Sequence, residues 1–204
     1  VAAPPLIGLT GAVGVGKSSA LAAFGSRGCA VLSADTVVHG LYHRARVRDR
    51  VVERFGADVL DAAGEVDRVA LASRVFADPE ALEWLEGLVH PLVQEEMASW
   101  LRQSAELEPP PALVVYESPL LLEAGLADRF DRVLLVTADD AVRRERLARR
   151  GALERLAERE ARMWSEARRR AAADDVIDNS GDPQALVDAV DAYIERYAGR
   201  PWGG

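Results

Sequence analysis

The octapeptide Gly11-Ala12-Val13-Gly14-Val15-Gly16-Lys17-Ser18 restricts the fold of this chain more than any other stretch. It has the spacing of a glycine, four residues, then Gly-Lys-Ser/Thr, which is the phosphate-binding P-loop pattern. Glycines let the backbone curl so that successive N–H groups converge on phosphate oxygens, and the following helix turns its positive end to the same anion. In such a cradle Lys17 reaches the β and γ phosphates, Ser18 offers a hydroxyl to magnesium, and Ser19 adds a phosphate contact. The competing reading is a chance glycine-rich turn, and the flanks decide between them. Leu6-Ile7-Gly8-Leu9-Thr10 is a short apolar run that predicts a buried strand before the loop. Ala20, Leu21 and Phe24 at helical spacing predict a helix over Lys17 to Arg27, stopped by Gly28.

The rest of the chain supplies the other layers of an α/β fold. Further strands are predicted at Cys29 to Leu32, Ala112 to Tyr116, Val133 to Val136 and Val176-Ile177. Between the second and third lies a mostly helical stretch, Thr36 to about Glu106. In it Asp78-Pro79 caps a helix carrying Leu82, Leu85 and Val89 on one stripe, and His90-Pro91 interrupts the pattern before Leu92, Val93 and Met97 resume it. Asp182-Pro183 caps a last helix that turns Leu186, Val190, Tyr193, Ile194 and Tyr197 inward. Strands alternating with helices imply a parallel sheet covered on both faces, with ligands at the carboxyl ends of its strands.

Composition excludes several classes of function. With 204 residues, 25 basic against 33 acidic side chains and 49% hydrophobic residues, the chain is an ordinary domain that needs no disulfide or metal staple. Its net charge of -8 argues against wholesale binding to nucleic acid or an anionic membrane. No apolar run approaches the ~20 residues of a spanning helix. Val1-Ala2-Ala3-Pro4-Pro5 has neither the basic start nor the long apolar stretch of a secretory leader. Cys29 is the single cysteine, so the expectation is a reducing, cytoplasmic setting. The sequence does not fix the oligomeric state, a monomer included.

Charge is unevenly spread. Residues 143–170 hold 11 Arg and 5 Glu, a local +6 that leaves -14 for the remainder. Such a run is read either as a solvated, salt-bridged helix or as an arginine-rich lid over a highly negative ligand. Of the 25 basic residues 24 are Arg, and Lys17 is the only Lys; Asn179 is the only Asn. Arg, with its wide planar fork, is a different donor from the compact ammonium a P-loop uses. With one Asn and one Lys so far apart, the chain has no Asn-Lys-x-Asp guanine-reading motif, which sets aside a switch GTPase.

What remains looks like a small-molecule kinase, and the residues resemble the dephospho-CoA kinase family nearly end to end. The resemblance rests on the opening strand and loop, Ala34-Asp35, Val75-Phe76 with Pro79, His90-Pro91-Leu92, Pro119-Leu120-Leu121 with Glu123, and Ala173-Asp174-Asp175-Val176-Ile177-Asp178-Asn179. The order and spacing of these strings carry it. It implies a P-loop NTPase fold with a five-stranded parallel sheet, a helical substrate lobe at residues 36–106 and a helical lid at 143–170. It also implies transfer of the γ-phosphoryl group of ATP to the ribose 3′-hydroxyl of dephospho-CoA, the last step of coenzyme A biosynthesis, with Mg2+.

Phosphoryl transfer asks a protein to position an in-line hydroxyl and to neutralise the charge on the moving group. By the resemblance Asp35 is the base that orients the ribose hydroxyl; from the residue alone it caps a helix beginning at Thr36. The family often has Asp-Ala-Asp where this chain has Ser33-Ala34-Asp35. Glu117, ending the third strand, is expected beside Mg2+ with Ser18, or is a structural turn residue. Arg150 matches the lid arginine over the separating phosphates, with Arg143, Arg146 and Arg169 as weaker candidates. The family lid often has glutamine where Met163 stands and aspartate at Gly151. Asn179 is expected to donate to and accept from the adenine edge, or to form a turn with Ser180-Gly181. His90 and Pro119 are expected on the acceptor side, and Trp84, Trp100 and Trp164 in packing or along the pantetheine path. Two other readings stand beside this one: a kinase for another nucleotide or nucleoside, and a non-catalytic ATP-binding module.

Overall fold

The computed structural model describes residues 4–75, 77–153, 156 and 160–199. Phe76 and part of the expected lid, 154–155 and 157–159, lie outside the described residues. Two compact units emerge: Val1–Ser33 together with Arg102–Gly204, and Ala34–Leu101.

The first unit is built on five strands: β1 (Leu6–Gly11), β2 (Ala30–Ser33), β3 (Val114–Glu117), β4 (Arg132–Thr137) and β5 (Asp175–Asp178). They lie in the order β2-β3-β1-β4-β5 and every pairing is parallel. The central strands β1, β3 and β4 are buried almost throughout, as apolar runs covered on both faces must be, while the edge strands β2 and β5 are only partly buried.

On one face α1 (Lys17–Gly25) and the last helix, α8 (Pro183–Tyr197), cover the sheet. Phe24 meets Tyr193 edge to face at 5.8 Å, and Leu186, Val190, Tyr193 and Tyr197 are buried as the apolar spacing predicts. Asp182 caps α8 by accepting the Gln184 N–H at 2.7 Å, with Pro183 in the first turn. On the other face a Cβ at Gly8 would lie 2.7 Å from Leu121 Cδ1 and 2.9 Å from Phe130, so only glycine fits there. The predicted α1 is two residues too long: it ends at Gly25, and Gly28 closes the following turn with φ +77°.

The second unit is helical: α2 (Ala34–Tyr42), α3 (Ala45–Phe55), α4 (Arg68–Val75) and the greater part of α5 (Pro79–Ala105). Its own core gathers Leu41, Val47, Val51, Leu71, Val75, Leu85 and Val89. Asp78 caps α5 through the Glu80 N–H at 2.9 Å. The expected interruption at His90-Pro91 does not occur, because α5 runs through Pro91. Pro91 has no N–H for the carbonyl one turn back. Leu85 and Val89 before it and Leu92 and Val93 after it nevertheless pack in one core, and that shared burial keeps the helix whole.

Candidate active site

Gly11–Lys17 forms the turn between β1 and α1, at the carboxyl end of the central strand. Gly11, Gly14 and Gly16 have φ of +153°, +83° and +95°; the last two lie in the left-handed region that side chains with a Cβ rarely adopt. Room is also short. A Cβ on Gly11 would meet the Val136 carbonyl oxygen at 2.3 Å, and one on Gly16 would meet Asn179 Nδ2 at 2.2 Å. Lys17 folds back over the loop and donates to the Ala12 carbonyl at 3.1 Å. Ser18 and Ser19 are exposed at the start of α1.

A loop that aims its N–H groups inward turns carbonyls outward, and these need donors. Arg143, on α6 (Asp140–Arg149), donates its Nε–H to the Val13 carbonyl at 3.0 Å. Its other nitrogens bond Asp140 at 2.7 Å and Glu160. Asn179, following β5, donates Nδ2–H to the Val15 carbonyl at 2.7 Å, and Arg146 approaches the same oxygen at 3.4 Å. Arg143 and Asn179 are 8% and 4% exposed, so both are structural parts of the loop's wall. Sequence reasoning sent the Asn179 amide to the adenine edge. Here one of its two amide N–H groups is given to Val15 O, and its backbone N–H bonds Thr137 O at 2.8 Å. Sequence reasoning also ranked Arg143 below Arg150. Its position one turn into a helix beside the loop was the available signal, but nothing in the spacing showed which helix face meets the loop.

Glu117 ends β3 beside both neighbouring strands, paired with Leu9 and with Ser33, and is 4% exposed. The Ser33 hydroxyl donates to Glu117 Oε2 at 2.6 Å. Where the family often has a second carboxylate, serine thus gives Glu117 a neutral hydrogen-bond donor. Pro119 is half-buried just beyond, its carbonyl accepting the Thr10 hydroxyl at 3.3 Å.

In the other unit Asp35 is exposed in the first turn of α2. Because α2 begins at Ala34, Asp35 sits inside the helix, so the capping alternative at Thr36 does not describe it. His90 is exposed on the unbroken α5.

Arg150 is exposed where α6 ends. Gly151 follows with φ +63°, its N–H on Ala148 O, and Ala152 N–H reaches Leu147 O at 3.0 Å. That double bond pattern is the glycine-dependent helix stop, which is what glycine at 151 accomplishes. Farther on, α7 (Glu166–Ala172) starts with Ser165 as its cap. Arg169 on α7 is buried, with one nitrogen on the Met163 sulfur at 3.8 Å and its Nε unpartnered among the described residues. Desolvation pulls its guanidinium below the ordinary value, partly offset by Glu123. Glu123 accepts the Trp164 N–H at 2.8 Å, and Arg168 stacks on the Trp164 ring at 3.5 Å. Among the described residues no helix is long and apolar enough to cross a membrane.

Comparison with known proteins agrees with this geometry. A family model described as dephospho-CoA kinase matches residues 5–184. The dephospho-CoA kinase of Methylococcus capsulatus is 41% identical over 196 residues, covering 95% of this chain and 96% of that protein. That of Sodalis glossinidius is 35% identical over 198 residues, covering 94% and 91%. A crystal structure from Thermus thermophilus superposes with TM-score 0.81 at 35% identity, covering 97% of this chain and 100% of the other. A dephospho-CoA kinase structure from Campylobacter jejuni gives TM-score 0.65 at 20% identity, covering 97% and 99%, a likeness of fold. With its glycine loop in place and its sequence matched along nearly its whole length, the chain belongs to the dephospho-CoA kinase family.

Proposed function

We propose that Lys17, Asp35 and Arg150 carry the chemistry of this chain, a kinase that transfers the γ-phosphoryl group of ATP to the ribose 3′-hydroxyl of dephospho-CoA, giving CoA and ADP. The observation that carries the reading is the braced loop: its carbonyls at Val13 and Val15 are held by Arg143 and Asn179, and the backbone N–H groups of a loop so curled are donors suited to phosphate. Ser18 and Ser19 add hydroxyls at the head of α1. Lys17 exchanges the Ala12 carbonyl for a phosphate oxygen when the nucleotide enters.

Asp35 orients the acceptor hydroxyl and takes its proton. His90 and Pro119 belong to the acceptor side, residues 36–106 to a substrate lobe and 143–170 to a lid. Exposed Arg150 is free of the loop's own bracing and suits a contact made only as the lid closes. Lid closure predicts that nucleotide protects the 143–170 backbone from hydrogen exchange.

The donors present fit Mg2+. Ser18 and Glu117 offer hard oxygens, and Ser33 fixes the Glu117 carboxylate. Mg2+ ordinarily keeps several waters and binds through one or two protein oxygens together with substrate phosphates, which two such donors can provide. Ser18 and Glu117 would hold the ion there, and it would supply charge neutralisation at the β and γ phosphates. A cytoplasmic setting suits the single buried thiol of Cys29.

Asp35→Asn is the test. It lowers kcat by about 10²–10⁴-fold while ATP still binds; unchanged turnover removes Asp35 from the mechanism. ADP release measured with dephospho-CoA, adenosine and AMP tests the acceptor, and preference for adenosine or AMP overturns it.

A further inference from the structure

In the helical unit two of the three histidines of the chain converge. His39 lies in the last turn of α2 and His43 just beyond its end, four residues on, the spacing that stacks side chains on one face. Their Nε2 atoms are 3.5 Å apart, with the rings nearly perpendicular at 86°. A carboxylate fixes one of them: His43 Nδ1 lies 2.9 Å from Glu65 Oε2. An ionised carboxylate only accepts, so the proton of neutral His43 sits on Nδ1, and the Nε2 lone pair points toward His39. At 3.5 Å the two Nε2 atoms make a poor hydrogen bond with each other.

We propose that His39 and His43 form a binding site for a borderline transition-metal ion such as Zn2+, with Glu65 as the group that orients His43. Zinc–imidazole bonds of about 2.0–2.1 Å closing over this gap make an angle of roughly 115–120° at the ion, close to tetrahedral. The arrangement of carboxylate, imidazole and metal is the one that fixes ligating histidines elsewhere. Both rings are exposed, so the ion enters without displacing the core and water completes its coordination. Neutral imidazole selects zinc, copper or nickel over magnesium, so the site is chemically separate from the oxygen donors Ser18 and Glu117. It is also independent of the kinase reading. Asp35 stands one turn before His39 on the same helix and supplies no ligand in this proposal.

Zinc titration of the intact protein in millimolar magnesium, followed by calorimetry and by ¹⁵N spectra of the histidine rings, tests it. The expected result is one ion per chain, with the rings of His39 and His43 shifting and that of His90 unmoved. His39→Ala and His43→Ala each weaken binding by at least about tenfold, since either breaks the chelate. Glu65→Gln weakens it by about 10–100-fold while both ligands remain. Circular dichroism of each variant confirms that the helices persist. Zinc affinity unchanged in either histidine variant, or a His90 ring that shifts together with the other two, overturns the site.

Discussion

Residues 11–18 and residues 143–170 are joined by hydrogen bonds from Arg143 and Arg146 to the loop but encode their parts differently. In the loop it is the backbone's course that matters, so glycine spacing is the message. In the arginine-rich segment the same side chain has opposite fates: Arg143 and Arg169 are buried, whereas Arg149 and Arg150 are exposed. Arg149 and Arg170 make pairs of the i,i+4 kind with Glu145 and Glu166, the behaviour of a solvated helix. Arg143 satisfies a loop carbonyl and two carboxylates at once. The solvated-helix reading of the charge run therefore describes Arg149 and Arg170, whereas Arg143 braces the loop, and helix face decides which.

The sharpest break between the two regions is at Lys17. Its ammonium is the loop's one side-chain charge, and removing a preorganised donor of this kind costs about 10²–10³-fold in kcat. Lys17→Met is expected to show that loss in steady-state turnover with the fold intact. Next comes a pair of glycine variants that share a positive φ and differ in surroundings. Gly16→Ala drives a Cβ into Asn179, displacing the amide from Val15. The Val15 carbonyl then keeps only the long bond from Arg146, and losing the shorter donor costs about 1–3 kcal/mol, or about 5–150-fold if it falls on ATP affinity. At Gly28 nothing lies within 4 Å, so Gly28→Ala carries only the left-handed backbone cost of roughly 1–2 kcal/mol. Nucleotide titrations should separate them: a large rise in the ATP Kd for Gly16→Ala and none for Gly28→Ala.

How much of this was legible beforehand follows the same division. The parallel sheet, its five strands and the loop were readable because buried strands are short apolar runs and the cradle needs glycines in fixed places. The capping of α8 by Asp182-Pro183 was readable for a local reason too: the cap bonds residues two positions away. The unbroken α5 was not, since a proline signals locally against a helix while the burial that overrides it comes from other elements. Asn179 stood out as the only Asn, but its bond to Val15, 164 positions away, was not legible. Ser33 facing Glu117 is likewise a strand-register fact, invisible until β2 is seen to lie beside β3.

Arg143 gives the next, smaller effect. Lysine has one charged tip, whereas the guanidinium of Arg143 spreads its nitrogens over Val13, Asp140 and Glu160. Arg143→Lys is expected to raise KM for ATP by about tenfold, as one loop carbonyl loses its donor at roughly 1.4 kcal/mol, with kcat less affected because the reacting groups are untouched. A larger fall in kcat than in affinity would mean that Arg143 contacts the phosphates directly.

Arg149→Ala is the smallest and completes the comparison. Arg149 sits about one and two-thirds turns along α6 from Arg143, with its side chain three-quarters exposed and paired to Glu145 on its own helix. An exposed i,i+4 pair contributes about 0.3–0.5 kcal/mol, weakened further by salt. Alanine is the better helix former, which offsets part of the loss. The expected shift in Tm is therefore within about 2 °C, with ATP affinity unchanged. If Arg149→Ala instead raised KM for ATP as much as Arg143→Lys, the division of this segment by helix face would be wrong, and its arginines would act as one diffuse positive field whose effect should fade with added salt.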